Sequence, residues 1–130
     1  MEGKDKMNNK EIQNVIKLDK AKKYEYFIKK IVDYEEVWSL RDEEGWAMLG
    51  EEDNSYFPVW AKKEYSDLCI SEEWKGYYSE SITLERFMDV WIPNLKCEGS
   101  RITIMWSNGS GIDVDWDILL DDIRLEMEKY

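Results

Sequence analysis

Three alternating acidic residues late in the chain have types and spacing that could bind a metal ion. Asp113, Asp115 and Asp117 follow the acid-x-acid-x-acid pattern that opens a calcium-binding loop, in which alternate oxygen ligands surround a hard cation. The rest of such a loop is missing, because the sixth position is Ile118 instead of glycine and the twelfth is Arg124 instead of glutamate. We therefore interpret these acids as a strand end followed by the negatively charged first turn of a helix, and expect neither a metal nor another cofactor.

The sequence contains few residues that could support nucleophilic catalysis. The chain has no histidine, which excludes Ser/His and Cys/His pairs and histidine-ligated metals. No serine is followed three residues later by lysine, and Gly109-Ser110-Gly111 lies between two predicted strands, which favours a turn over a phosphate loop. Paired carboxylates are guaranteed by the abundance of 29 acidic residues, so they carry little information. A non-catalytic protein is favoured, and a small enzyme using carboxylates and lysines stays an alternative.

The tryptophans are the more informative feature. Seven tryptophans in 130 residues are too many to be all fully interior, because an indole usually keeps its N–H near a partner or water. Trp91 and Trp116 lie on apolar helical stripes and are predicted to pack in the core. Aromatic rings combined with a few polar groups are common to binding sites, which makes the segment from Trp46 to Trp74 the candidate surface. The predicted binding residues are Trp46, Trp60, Lys62, Lys63, Glu64, Tyr65 and Trp74.

The spacing of apolar residues predicts the helices that must position these side chains. One helix is expected from about Asp19, its N-cap, to Val32, and a short apolar stripe before it does not join it. A helix follows Ala61, and another begins after the N-cap Thr83 and is expected to stop at Pro93. Cys69 is predicted to lie on a buried helix face and Cys97 in a loop. The last helix carries one apolar face, formed by Trp116, Leu119, Leu120, Ile123 and Met127.

Turn residues and alternating apolar residues predict the strands. The polar run at residues 41–45 suits a hairpin, and Asn108-Gly109 is a strong hairpin signal. Pro58 cannot donate to a ladder, so it belongs at a strand edge or end. Residues 77–82 predict an edge strand. Hairpins without obligatory crossovers predict an α+β fold, with an antiparallel or mixed sheet of about five strands packed by three to four helices.

Charge divides the chain into two parts. Residues 1–30 hold nine lysines and five acids, a balance of +4, whereas residues 31–130 hold nine basic and 24 acidic side chains, a balance of −15. We expect a basic, frayed leader over residues 1–18 and one domain over residues 19–130. The net charge of −11 opposes direct binding to nucleic-acid phosphates. It fits a protein surface that meets a basic partner, or an acidic mimic of nucleic acid.

The cysteines and the apolar runs indicate the compartment. Two cysteines allow at most one disulfide, and a domain of this length does not need one, so both are expected to be reduced thiols in a cytoplasm. No signal peptide is recognisable after the first lysines, and the apolar runs are far shorter than the ~20 residues that span a bilayer.

Several short motifs together resemble a known family. They are Trp38-Ser-Leu-Arg-Asp-Glu-Glu-Gly-Trp46, Phe57-Pro-Val-Trp60 with Glu64-Tyr65 and Leu68-Cys69, Trp74, and Ile82-Thr-Leu-Glu-Arg-Phe87 with Trp91. From about Tyr24 to Met127 the chain resembles the bacterial family known as domain of unknown function 2750. The resemblance implies a small bacterial cytoplasmic protein and carries over no catalytic residue. From the acidic charge and the aromatic residues around Trp60 we expect a non-catalytic protein-binding module. Size, acidity and compartment suggest a toxin-neutralising immunity protein as one concrete form.

Overall fold

Helices and strands are interspersed along the chain. The computed structural model describes residues 9–51, 54–70 and 74–130. The α-helices are α1 Asn9–Ile16, α2 Lys20–Tyr34, α3 Lys63–Ile70, α4 Leu84–Arg86, α5 Ile92–Glu98 and α6 Trp116–Met127, with a π-helical turn, Phe87–Trp91, between α4 and α5. The strands are β1 Glu36–Asp42, β2 Gly45–Trp46, β3 Leu49–Glu51, β4 Asn54–Val59, β5 Tyr78–Thr83, β6 Arg101–Ser107 and β7 Ser110–Val114. The predicted α+β class is confirmed.

The strands form two sheets instead of the one that the sequence predicted. The first sheet has the order β2-β1-β5 with antiparallel pairs throughout, and β5 is the predicted edge strand. The second sheet has the order β3-β4-β6-β7, in which β4 and β6 are parallel and the other pairs are antiparallel. The mixed character of the second sheet comes from the long connection through α3, β5 and α5 that separates β4 from β6.

The two sheets meet where β4 ends. Trp38 of β1 and Trp60 exchange two backbone hydrogen bonds, of 2.9 and 2.8 Å. The Ser39 hydroxyl donates to the Pro58 carbonyl at 2.7 Å. Pro58 lies beyond the last residue that β3 pairs, Tyr56, as expected for a residue without a backbone donor. These contacts place Trp60 at the junction of both sheets, in the centre of the domain.

The N-terminal helices include part of the predicted leader. The Asp19 side chain accepts a hydrogen bond from the Lys22 amide at 2.9 Å, which confirms Asp19 as the N-cap of α2 and the break before it. Residues 9–16 form α1, whose Val15 is buried against the core. This part of the predicted frayed leader is therefore packed helix, and residues 1–8 lie outside the described residues.

The helical region around Pro93 differs from the prediction. Thr83 is the N-cap of α4, as expected, and its side chain accepts from the Arg86 amide at 3.2 Å. Pro93 does not stop the helix, because the π-helical turn before it widens the backbone and leaves the proline in the first turn of α5, where a missing N–H is tolerated. The helix ends instead at Gly99, which has a φ of 79°.

Large apolar side chains from both sheets and from α2, α5 and α6 form one core. Their burial is the main force that holds the sheets and helices together. The largest fully buried side chains are Trp60, Phe27, Phe57, Phe87, Ile31, Leu40, Ile92, Ile102, Ile104, Leu119, Ile123 and Val37. Within the described part of the chain, no helix is long and apolar enough to span a membrane.

Candidate functional site

The aromatic residues that were predicted to form the centre of the binding surface are buried in the structure. Trp60 is fully buried, and Trp74 and Tyr65 are nearly so. The Trp60 and Trp74 rings meet edge to face with centroids 5.7 Å apart, and the Trp60 indole N–H donates to the Trp106 carbonyl at 2.9 Å. Because that indole N–H finds a partner inside the domain, Trp60 does not need the groove that the sequence argument assigned to it. A protein partner docked on the outer surface of the domain cannot reach its ring.

Trp46 belongs to a different aromatic cluster. It is half-buried, and its ring meets the Trp91 ring at 4.9 Å and the Phe57 ring at 6.2 Å between centroids. The Arg41 guanidinium lies over the Trp46 ring, 5.1 Å from its centroid. Trp91 packs as the sequence predicted and also stacks on Phe57, and its contact with Trp46 joins β2 to the π-helical turn.

The three polar residues that were predicted to bind also lie in different environments. Lys62 is only 5% exposed, and its ammonium lies 3.5 Å from the centroid of the Tyr34 ring, a cation–π contact. Lys63 is exposed and pairs with Asp67 at 2.9 Å. Glu64 is half-buried on α3. The predicted surface is therefore not assembled as one exposed patch, although two of its residues, Trp60 and Tyr65, line a cavity.

That cavity lies between α2, α3 and the end of β6 and has a volume of about 250 Å³. Its lining residues are Ile16, Lys23, Trp60, Tyr65, Leu68, Cys69, Met105, Trp106, Ser107 and Asn108. Most of the wall is apolar, and Lys23 is the only formal cation among the described residues that line it. Burial first, and the nearby charge of Lys20 second, lower the pKa of the Lys23 amine. Lys62, Lys63 and Glu64 do not line this cavity.

A second surface, which was not predicted from the sequence, lies on the outward side of α6. Ile118 is 56% and Leu125 59% exposed. Seven residues apart on one helix, they lie on the same side, with exposed Asp121 between them and Glu128 one turn further on. We call Ile118, Asp121, Leu125 and Glu128 the outer face of α6. Its sequence signal was a pair of aliphatic residues outside the predicted apolar stripe.

The acids that begin α6 have the structural role that the sequence predicted. Asp115 is the N-cap, and its carboxylate accepts from the Asp117 amide at 3.0 Å and the Ile118 amide at 3.3 Å. Among the described residues, no group of three or more His, Cys, Asp or Glu side chains is arranged to hold a metal ion. Both cysteines are described and neither forms a disulfide; Cys69 is buried, and Cys97 lies exposed on α5 instead of in a loop.

The architecture defines a class: a small α+β domain of two joined sheets, with a buried tryptophan pair at their junction. The chain belongs to the family described as protein of unknown function (DUF2750), whose model matches residues 24–123. This match confirms the resemblance drawn from the tryptophan-containing motifs. No curated protein matches the chain.

Proposed function

We propose that this protein is a non-catalytic protein-binding module of the bacterial cytoplasm, which contacts a basic partner through the outer face of α6. The observation that carries the proposal is the exposure of Ile118 and Leu125 on one side of a well-packed helix. Large aliphatic side chains grouped on a surface and rimmed by polar residues are typical of sites of protein association. The inner side of α6, with fully buried Leu119 and Ile123, fixes the helix to the core and presents this face rigidly.

The charge around the outer face of α6 supports a basic partner. Residues 113–128 contain seven acidic side chains and a single basic one, Arg124. Arg124 lies 3.9 Å from Asp121, so it neutralises only part of this charge. Complementary charge speeds encounter with a basic protein, while two acidic faces repel each other. Charge therefore argues for a heterologous basic partner and against a second copy of this chain on this face.

The spacing of the two aliphatic side chains indicates what kind of partner segment would fit this face. Ile118 and Leu125 are two helical turns apart, about 10 Å along the axis. A basic amphipathic segment with two apolar anchors at that spacing would cover both, with its lysines or arginines over Asp121 and Glu128. An immunity protein that neutralises a basic toxin is one concrete form of this function.

The proposal is tested by affinity capture with paired variants. Immobilised wild-type protein, Ile118→Ser/Leu125→Ser and the control Met48→Ser/Tyr78→Ser are incubated with a lysate of the encoding organism. The control removes two large exposed side chains from positions outside α6, and neither change should affect folding strongly. We expect a basic protein that wild type and control retain and the α6 variant loses, with a dissociation constant for the purified pair raised at least about tenfold.

Matched charge variants distinguish electrostatic steering of association from direct contact in the complex. Asp121→Asn/Glu128→Gln should slow association with that purified partner, whereas Glu85→Gln/Asp89→Asn, with the same charge change on exposed positions elsewhere, should not. Equal retention of the same proteins by wild type and both capture variants, or retention of no basic protein at all, would contradict the proposal.

The two alternative functions, a small enzyme and an acidic mimic of nucleic acid, predict different observations. A small enzyme would need its lysines and carboxylates beside the aromatic rings, and the cavity at Trp60 lacks the three polar residues predicted for that role. An acidic mimic of nucleic acid would release its basic partner when duplex DNA is added, whereas binding through Ile118 and Leu125 to an apolar surface would persist.

A further inference from the structure

The cavity beside Trp60 has the construction of a small-ligand site. Its volume of about 250 Å³ lies just below the ~300–1,000 Å³ of sites for drug-sized molecules, so it suits a smaller ligand. The apolar wall consists of buried Trp60 and Met105, with Leu68 at the opening, 47% exposed. A few polar groups beside a mostly apolar wall are the usual composition of a ligand site.

The backbone that forms this wall is irregular and held in place. The pairing of β6 with β7 shifts register between Ile104 and Ser107, and Met105 within this bulge has a φ of 54°. A residue with a side chain rarely adopts this conformation, because the Cβ is crowded against the backbone there. The bulge is held by the hydrogen bond from the Trp60 indole to the Trp106 carbonyl at 2.9 Å. Bulges of this kind are common next to functional sites, because they redirect side chains.

Lys23 gives the cavity a charge preference. It lies on α2, half-buried, and forms no ion pair within the described part of the chain. Burial and the neighbouring Lys20 both disfavour the ammonium and lower its pKa. An anion in the cavity would compensate both effects, whereas a cation would add to them.

We propose that the cavity between α2, α3 and β6 binds a small amphipathic carboxylate, with its carboxylate on the Lys23 ammonium and its apolar part against Trp60, Leu68 and Met105. None of the four residues that form the outer face of α6 lines this cavity. The two proposals are therefore independent.

Calorimetric titration with octanoate tests the proposal, with octanamide as the uncharged probe of similar shape. Wild-type protein should bind octanoate more tightly than octanamide. Lys23→Met should weaken octanoate binding about tenfold, because it removes a charge-assisted contact, and should leave octanamide binding unchanged. Lys22→Met is the matched control: this exposed lysine is on the same helix and does not line the cavity, so octanoate binding should be preserved.

A second variant tests the apolar part of the site. Leu68→Trp places a larger ring at the opening and should weaken both probes, while its exposed position lets the fold persist, as a thermal melt would verify. The α6 variant Ile118→Ser/Leu125→Ser should bind octanoate like wild type, which keeps this result separate from that of the partner capture. Absence of octanoate binding to wild type, or equal weakening by Lys22→Met and Lys23→Met, would overturn the proposal.

Discussion

Two buried hydroxyl groups have opposite hydrogen-bonding situations. The Ser39 hydroxyl donates to the Pro58 carbonyl at 2.7 Å, across the junction of the two sheets. The Thr103 hydroxyl oxygen is buried without a hydrogen-bond partner among the described residues. It occupies the space left by Gly111, where a Cβ would overlap it. An unpaired buried hydroxyl costs its desolvation energy, whereas a paired one recovers that energy.

Replacing these hydroxyls should therefore change stability in opposite directions. We expect Thr103→Val to raise the free energy of unfolding by about 1 kcal/mol, and Ser39→Ala to lower it by about the same amount. Urea unfolding followed by tryptophan fluorescence measures both values. A loss of stability in Thr103→Val as large as that in Ser39→Ala would indicate that the threonine hydroxyl is paired in solution.

Tyrosine hydroxyls connect the three helices around the cavity. The Tyr26 hydroxyl of α2 contacts Glu11 of α1 at 3.2 Å and the Tyr65 hydroxyl of α3 at 2.9 Å. Burial, the largest cause, raises the pKa of Tyr26 strongly and that of Tyr65 to about 12. The protonated phenols thus belong to the packed arrangement of these helices.

This arrangement predicts a loss of stability at alkaline pH. Because the folded state holds these protons more tightly than the unfolded state, the contribution is fully present below the ordinary tyrosine pKa of about 10 and is lost as the pH rises through the folded values. We expect Tyr26→Phe to be about 1 kcal/mol less stable than wild type at about pH 9 and to lose less on going to about pH 11. Tyr34→Phe, on the same helix and exposed, is the control that should follow wild type. Parallel declines in all three proteins would contradict this role of Tyr26.

Local sequence signals predicted the helices and strands, whereas contacts between distant segments determine which residues come together at the site. The N-caps Asp19 and Thr83 and the turn at Asn108-Gly109 are visible in the sequence because each depends on neighbours a few residues away. Pro93 misled the prediction because the π-helical turn before it depends on how Phe87 and Ile92 pack in the core. The burial of Trp60 and the pairing of Trp46 with Trp91 follow from contacts between distant segments, which no local pattern encodes.

At the scale of the molecule, the excess of acidic groups sets the response to salt. The −15 balance of residues 31–130 produces repulsion in the folded state, and the exposed ion pairs such as Lys63–Asp67 contribute little. Raising NaCl from about 20 to about 300 mM should therefore raise the melting temperature, because screening weakens the repulsion. Asp121→Asn/Glu128→Gln should respond less. A fall in melting temperature with salt would mean that attractive pairs outweigh the repulsion.

The parallel pair of β4 with β6 also determines when the protein can fold. Tyr56 pairs with Arg101, and Glu36 of the other sheet pairs with Thr83, so both sheets depend on partners far apart in the chain. Loops of this length must close before their contacts stabilise anything, which slows folding. During synthesis the second sheet stays open until β6 and β7 have left the ribosome, and until then β4 exposes an unpaired edge to which other chains can add.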